Sequence, residues 1–120
     1  MMIAVSALGS SLDDRVDERF GRAECLLLVD PSTFAVEVVD NGENRDALQG
    51  AGLGAAEAVA TRGAGAVLTG HLGPKAYRAL KAAGIDGYAA AGMTVREAVD
   101  AFAEGSLNLL DEGEAHAGLG

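Results

Sequence analysis

Four clusters of glycine and small residues carry the chemistry this sequence can offer: Ala7-Leu8-Gly9-Ser10-Ser11, Gly50-Ala51-Gly52-Leu53-Gly54, Gly70-His71-Leu72-Gly73 and Ala89-Ala90-Ala91-Gly92. Glycine lets backbone N–H groups approach a ligand closely. A helix N-terminus beside it adds partial positive charge, and together the two can cradle an anion without basic side chains. The same glycines also make plain strand-to-helix turns; several such loops at one sheet edge would favour a site. The Gly50 to Gly54 spacing superficially matches a dinucleotide fingerprint, but G-x-G-x-x-G is incomplete, no parallel strand precedes it and no Walker A lysine is present.

Few side chains join these loops. His71 could ligate a metal or donate to a sulfide, or be no more than a partly exposed loop residue. Arg22, in a charged stretch with Arg15 and Arg19, could offer its guanidinium to a multiply charged anion, or pair with Asp17, Glu18 or Glu24. Lys75 and Arg78, three apart, share a helix face and could supply positive potential near His71, although a solvated helix face is the commoner explanation. Cys25 opens an apolar strand and reads as a shielded structural thiol. His116 falls in the terminal segment, where no ligand role is expected. The candidate binding residues are therefore Gly9, Ser10, Ser11, Arg22, Gly70, His71, Leu72, Gly73, Lys75 and Gly92, with His71 the candidate metal ligand. No nucleophile–base pair and no paired-histidine motif is suggested by spacing, so binding is expected in place of catalysis.

The elements that must position these residues are legible in the hydrophobic pattern. Met2 to Ala7 is a β-branched run ending in a turn. Cys25 to Asp30 is nearly all apolar and reads as a strand covered on both faces, and Phe34 to Asp40 alternates like a half-buried edge strand. Gly50 to Arg62 predicts a helix with Leu53, Ala56 and Ala60 at helical spacing, capped by Gly63. A short strand, Ala66 to Thr69, leads through Gly73-Pro74 into a second helix with Ala76, Ala79, Leu80 and Ala83 inward and Gly84 closing it. Ile85 to Ala89 gives a fifth strand. Thr94 and Glu97 form a capping box for a third helix carrying Val95, Ala98, Val99 and Phe102, which ends at Gly105. The order β-β-β-α-β-α-β-α predicts an α/β fold whose mixed five-stranded sheet combines an antiparallel meander with two parallel crossovers, with helices on both faces. Ligands then collect at the carboxyl ends of the first, fourth and fifth strands.

Composition narrows the partners. With 18 acidic against 9 basic side chains the chain carries −9, which argues against nucleic acid or anionic membrane, since phosphate contacts need clustered Lys and Arg. The same charge favours a monomer. MMIAVSAL lacks a basic n-region and Asp13-Asp14 follow soon after, so a cytoplasmic protein is expected. One cysteine permits neither an internal disulfide nor a C-x-x-C site. Residues 1–110 read as one domain and 111–120, acidic and without periodicity, as a flexible tail.

The motifs M-I-A-V-S, D-E-R-F-G-R-A, G-A-G-L-G-A-A-E-A-V, A-V-L-T-G-H-L-G-P-K-A-Y-R-A-L-K-A-A-G-I and M-T-V-R-E-A-V-D-A-F follow one another in this order. Over roughly residues 2 to 110 the chain resembles the dinitrogenase iron–molybdenum cofactor biosynthesis family, the NifX-like domains. The resemblance implies a ribonuclease H-like three-layer α/β/α fold without nuclease activity. It further implies carriage, without turnover, of an anionic molybdenum–copper sulfide cluster held without covalent links, with protein partners in cluster delivery. Many members of the family have His where Gln49 stands here, which leaves His71 as the remaining ordered histidine. Two other readings stand beside this one: a cofactor-free regulatory or partner-binding module, and a small-molecule or phosphate-binding domain.

Overall fold

The computed structural model describes residues 1–47 and 49–110; the expected tail, 111–120, lies outside the described residues. The first three strands are β1 (Met2–Ala7), β2 (Cys25–Val29) and β3 (Val36–Asp40). A four-residue helix follows, α1 (Gly42–Arg45), then α2 (Ala51–Thr61), β4 (Ala64–Thr69), α3 (Pro74–Ala82), β5 (Asp86–Ala89) and α4 (Val95–Ala103). The sheet order is β3-β2-β1-β4-β5. β2 runs antiparallel to both β1 and β3, and β4 runs parallel to β1 and β5. This is the mixed α/β sheet the sequence predicts.

Two apolar layers cover the sheet. Ala4, Leu26, Leu28, Val39 and Val67 pack under Ala55, Ala56 and Val59 of α2 and Ala76 and Leu80 of α3. Ile3, Val5, Leu27, Val29 and Leu68 pack on the opposite side under Val95, Ala98 and Val99 of α4. β2 is buried on both faces because consecutive leucines alternate between these layers. β3 is an edge strand in which Val39 alone is buried. On α4 the capping box forms as expected: Thr94 Oγ1 accepts from the Glu97 amide at 3.1 Å and the Glu97 carboxylate from the Thr94 amide at 2.8 Å. Those bonds hold the Glu97 carboxyl below its ordinary pKa.

Three expectations change. α1 has no hydrophobic period to announce it, being a glycine and three polar residues closed by backbone bonds such as Arg45 N–H to the Asn41 carbonyl. Leu53, expected inward on α2, is 40% exposed, and the buried face is Ala51, Ala55, Ala56 and Val59. The reason is close helix packing: a Cβ at Gly52 would sit 3.1 Å from the Ala76 Cβ, so the α2–α3 seam admits only small side chains. On α3, Ala83 is exposed, because the helix ends at Ala82 before its last turn reaches the sheet.

The placement of helix ends follows from chain reversal. Only Arg62 and Gly63 (φ 77°) separate α2 from β4, so α2 runs back along that strand and its N-terminus lies at the strand's carboxyl end. About 16 Å of helix against about 20 Å of strand makes the lengths agree. α3 begins four residues after β4 and starts from that same edge.

A polar network buried beneath this edge fixes the chain that crosses it. Ser6 Oγ donates to the Asp17 carbonyl at 2.6 Å and shares a 2.7 Å hydrogen bond with Thr69 Oγ1, while the Asp17 amide donates to the Ser6 carbonyl at 2.8 Å. Among the described residues no buried side-chain polar atom lacks a partner.

Candidate anion-binding cleft

The segment between β1 and β2 passes over the ends of α2 and α3 and closes a cleft of about 270 Å³. Arg19, Phe20, Gly21 and Arg22 form one wall. Ala51 and Gly52 from the first turn of α2, His71 and Gly73 from the β4–α3 loop, and Ala76 form the other. An adjoining cleft of about 290 Å³ shares Ala51, Gly52, Gly73 and Ala76 and adds Gly50, Leu53, Pro74 and Lys75. Neither helix has a side-chain N-cap: Gly50, in the left-handed region at φ 76°, precedes α2, and extended Gly73 precedes α3. Two first turns therefore present backbone N–H groups that no side-chain cap satisfies, at one place in the fold.

Glycine matters at two points here. A Cβ on Gly21 would meet the Gly52 nitrogen at 2.5 Å and the Ala51 carbonyl carbon at 2.7 Å, so the wall segment rests directly on the α2 backbone. At Gly73 a Cβ would meet nothing within 4 Å and would project into open space.

Two of the cations, Arg19 and Arg22, are held by hydrogen bonds. Asp17, 3% exposed, accepts from the Arg19 amide at 3.0 Å and pairs with its guanidinium at 3.3 Å, leaving the Arg19 side chain largely exposed along the cleft. Arg22 does not make the carboxylate pair weighed for it; its Nη1 donates to the carbonyls of Arg45 (2.7 Å) and Ala47 (2.8 Å), and Glu24 pairs with Arg45 instead. Asn41, 1% exposed, donates from Nδ2 to the carbonyls of Gly21 and Ala23, both at 3.0 Å, and so supports the same wall from behind. His71 is exposed, joined through its backbone to Arg19 by an isolated parallel bridge. Lys75 is exposed and forms no ion pair among the described residues.

Of the residues singled out in the sequence, Arg22, His71 and Gly73 meet in this cleft and Lys75 borders its extension. Gly70 sits at the crossing, where a Cβ would be 2.7 Å from the Glu18 Cα. Leu72 is buried and packs over Gly87. Gly9, Ser10 and Ser11 lie elsewhere, in a loop that Asp14 closes by accepting from the Ser11 amide at 2.9 Å. Gly92 joins that loop through Arg15, whose Nη1 donates to its carbonyl at 3.0 Å. Both flank the start of α4, bonded through Val95 N–H to the Asp14 carbonyl, on the other face of the sheet. The other lining residues, Arg19, Phe20, Gly21, Ala51, Gly52 and Ala76, are small or apolar apart from Arg19.

Cys25 is half-buried on the α4 side of β2, behind the sheet from the cleft. Burial, and then Glu24, Asp40 and Asp14, push its thiol above the ordinary range. Cys25→Ser should accordingly leave ligand retention unchanged, and at neutral pH the native thiol should react with iodoacetamide more slowly than free cysteine. A rate equal to that of free cysteine would show the burial to be ineffective. Among the described residues no group of three or more His, Cys, Asp or Glu stands together as a metal cage, and no helix is long and apolar enough to cross a membrane.

Comparison with known proteins agrees with this architecture. The orange protein of Desulfovibrio gigas, solved in its apo form, is 49% identical with a TM-score of 0.87, covering 90% of this chain and 91% of that one. A Thermotoga protein named as a candidate NifB is 37% identical with a TM-score of 0.78, covering 91% and 92%. An uncharacterised protein of Methanocaldococcus jannaschii is 32% identical over 98 residues, 79% of this chain and 82% of its own length. The model of the dinitrogenase iron-molybdenum cofactor family matches residues 1–105. The chain belongs to that family of metal-cofactor-binding proteins.

Proposed function

We propose that this protein carries an anionic molybdenum-containing metal–sulfur cluster of the molybdenum–copper sulfide type, held without covalent bonds in the cleft over α2 and α3, and that it performs no turnover of its own. The observation that carries this reading is the convergence of two helix N-termini without side-chain caps on one cleft lined by Arg19, Arg22 and His71. Each helix end favours a negative charge, and the guanidinium and imidazole N–H groups can donate to sulfide. Phe20, Ala51 and Ala76 give the rest of the wall an apolar surface, suited to weakly hydrated sulfide. The open space at Gly73 is where cargo can approach the backbone. His71, on the rim, is the residue placed to ligate a metal if one ligand bond forms.

At about 1 kcal/mol per helix end and about 2 kcal/mol per charged hydrogen bond, two ends and three side chains give on the order of 8 kcal/mol, the range of micromolar affinity. Ordering costs subtract from that, so the cargo should exchange, as delivery to a partner protein requires. The reading is of a monomeric cytoplasmic carrier.

The test is direct. Protein purified from its own source should absorb in the visible and contain molybdenum, copper and sulfide. Apo protein given thiomolybdate and a copper salt should keep its colour through desalting and lose it as salt rises. Arg22→Glu and Lys75→Glu should each retain less. Colourless, molybdenum-free protein from that source, together with no retention on reconstitution, would end this reading.

A further inference from the structure

Arg22 faces two ways. Both hydrogens of its Nη1 are taken by neutral carbonyls, those of Arg45 and Ala47, while Nε and Nη2 hold three further N–H donors on a side chain that lines the cleft. The segment it grips, residues 45–47, joins the end of α1 to the approach to α2. The Arg45 guanidinium adds a second tie to this stretch by pairing with Glu24, and at the other end of α1 Asn41 reaches the carbonyls of Gly21 and Ala23. The cleft wall and this strap are thus one unit, joined at Arg22.

We infer that Arg22 is a positioning residue that couples occupancy of the cleft to rigidity of the strap at residues 45–47, so that bound anion and strap stabilise each other through one guanidinium. An exposed arginine surrenders much rotamer freedom to make its first bond, and a guanidinium fixed by one partner meets the next already oriented. An anion on Nε and Nη2 fixes the guanidinium plane and so keeps the two carbonyl bonds made, and those bonds hold the fork toward the anion. Linkage makes the effect mutual: whatever loosens the strap weakens the anion by the same factor. Lysine keeps the charge but lacks the planar fork, and it cannot serve both sides with fixed geometry.

The inference rests on the cleft being the cargo site, and the experiment separates the two. Amide exchange is followed by NMR at Arg45, Asp46 and Ala47, whose N–H groups bond the carbonyls of Asn41, Gly42 and Asn44, with and without thiomolybdate plus a copper(I) salt. Exchange at these amides should slow about fivefold on binding, the low end of ordinary coupling. In Arg22→Lys the slowing should vanish and retention should fall by a similar factor, with the melting temperature little changed. Glu24→Gln acts from outside the cleft. It should lower affinity because it frees Arg45, whereas removing a carboxylate near an anion site would by charge alone raise it.

Ligand retained by wild type and lost in Gly73→Val, with no slowing at residues 45–47, would overturn the coupling and leave the site standing. So would slowing that persists in Arg22→Lys, or an unchanged or raised affinity in Glu24→Gln. Retention indifferent to Gly73→Val would remove the site and the coupling together.

Discussion

Gly73→Val should strip the cargo from the protein and leave the fold in place. The backbone at Gly73 is extended, at φ −69° and ψ 164°, a conformation that valine prefers, so the substitution introduces no strain. Beyond its two chain neighbours no residue comes within 4 Å of the position a Cβ would take, so the branch starts into open space. Gly73 lines the cleft together with Arg19 to Arg22, so the branched side chain would take up room that the proposed cargo needs to reach the backbone amides. Valine is a poorer N-cap than glycine, by about 1 kcal/mol or less, which for a domain of this size lowers the melting temperature by about 4 °C. Retained colour after desalting should fall at least about tenfold, since an isopropyl group in the path of the cargo should cost more than about 1.4 kcal/mol. Full retention, with the melting point shifted as stated, would place the cargo elsewhere.

That position was legible in the sequence because two signals coincide on it. Pro74 marks the first residue of a helix, and the buried run ending at Thr69 marks the end of a parallel strand. A loop between such elements opens at the ligand edge of an α/β sheet. His71 and Arg22 came with it, one inside that loop and the other in a charged stretch. The strands were readable for a similar reason: β1 and β2 are buried on both faces, and a run of β-branched or leucine residues bounded by turns has few other ways to fold.

The edge was readable, but the face was not. Gly9, Ser10, Ser11 and Gly92 stand after parallel strands as the rule requires, yet their loops fold toward α4, drawn there by Asp14 and Arg15. Which layer a loop joins is decided by hydrogen bonds between segments about eighty residues apart, such as Arg15 to Gly92 (separation 77), and no local period records those. Local pattern does not mark Ala76 as a site residue, nor does it bring the Gly50 to Gly54 cluster beside the β4–α3 loop. In sequence these are helix formers or turn residues; they line one cleft only because α2 and α3 cross closely. Leu53 misled in the same way, since helical spacing identifies a shared face without saying how near the neighbouring helix will come.

Gly21→Ala should damage stability and binding at once, and the contrast with Gly73→Val makes it informative. The added Cβ would stand 2.5 Å from the Gly52 nitrogen and 2.7 Å from the Ala51 carbonyl carbon, both backbone atoms in the first turn of α2. Backbone in a helix cannot rotate away as a side chain can, so the wall segment itself must lift. That segment is tied down on either side: Asn41 bonds the Gly21 and Ala23 carbonyls, and buried Asp17 holds the chain over Ser6 and Thr69. Lifting it stretches these bonds or distorts α2, at the overpacking cost of about 1–3 kcal/mol, or a fall of about 4–12 °C in melting temperature. The same displacement carries Arg19 and Arg22 away from the helix ends. Donors aimed from about 1 Å too far lose most of their bond strength, so retention should fall at least about tenfold even at temperatures where the variant is fully folded. Glycine at position 21 would then be a condition of bringing cations and helix termini together. A variant that melts with wild type would show that the added Cβ is accommodated without lifting the wall, and one that melts early yet keeps its cargo when folded would show that the wall contributes little to holding the anion.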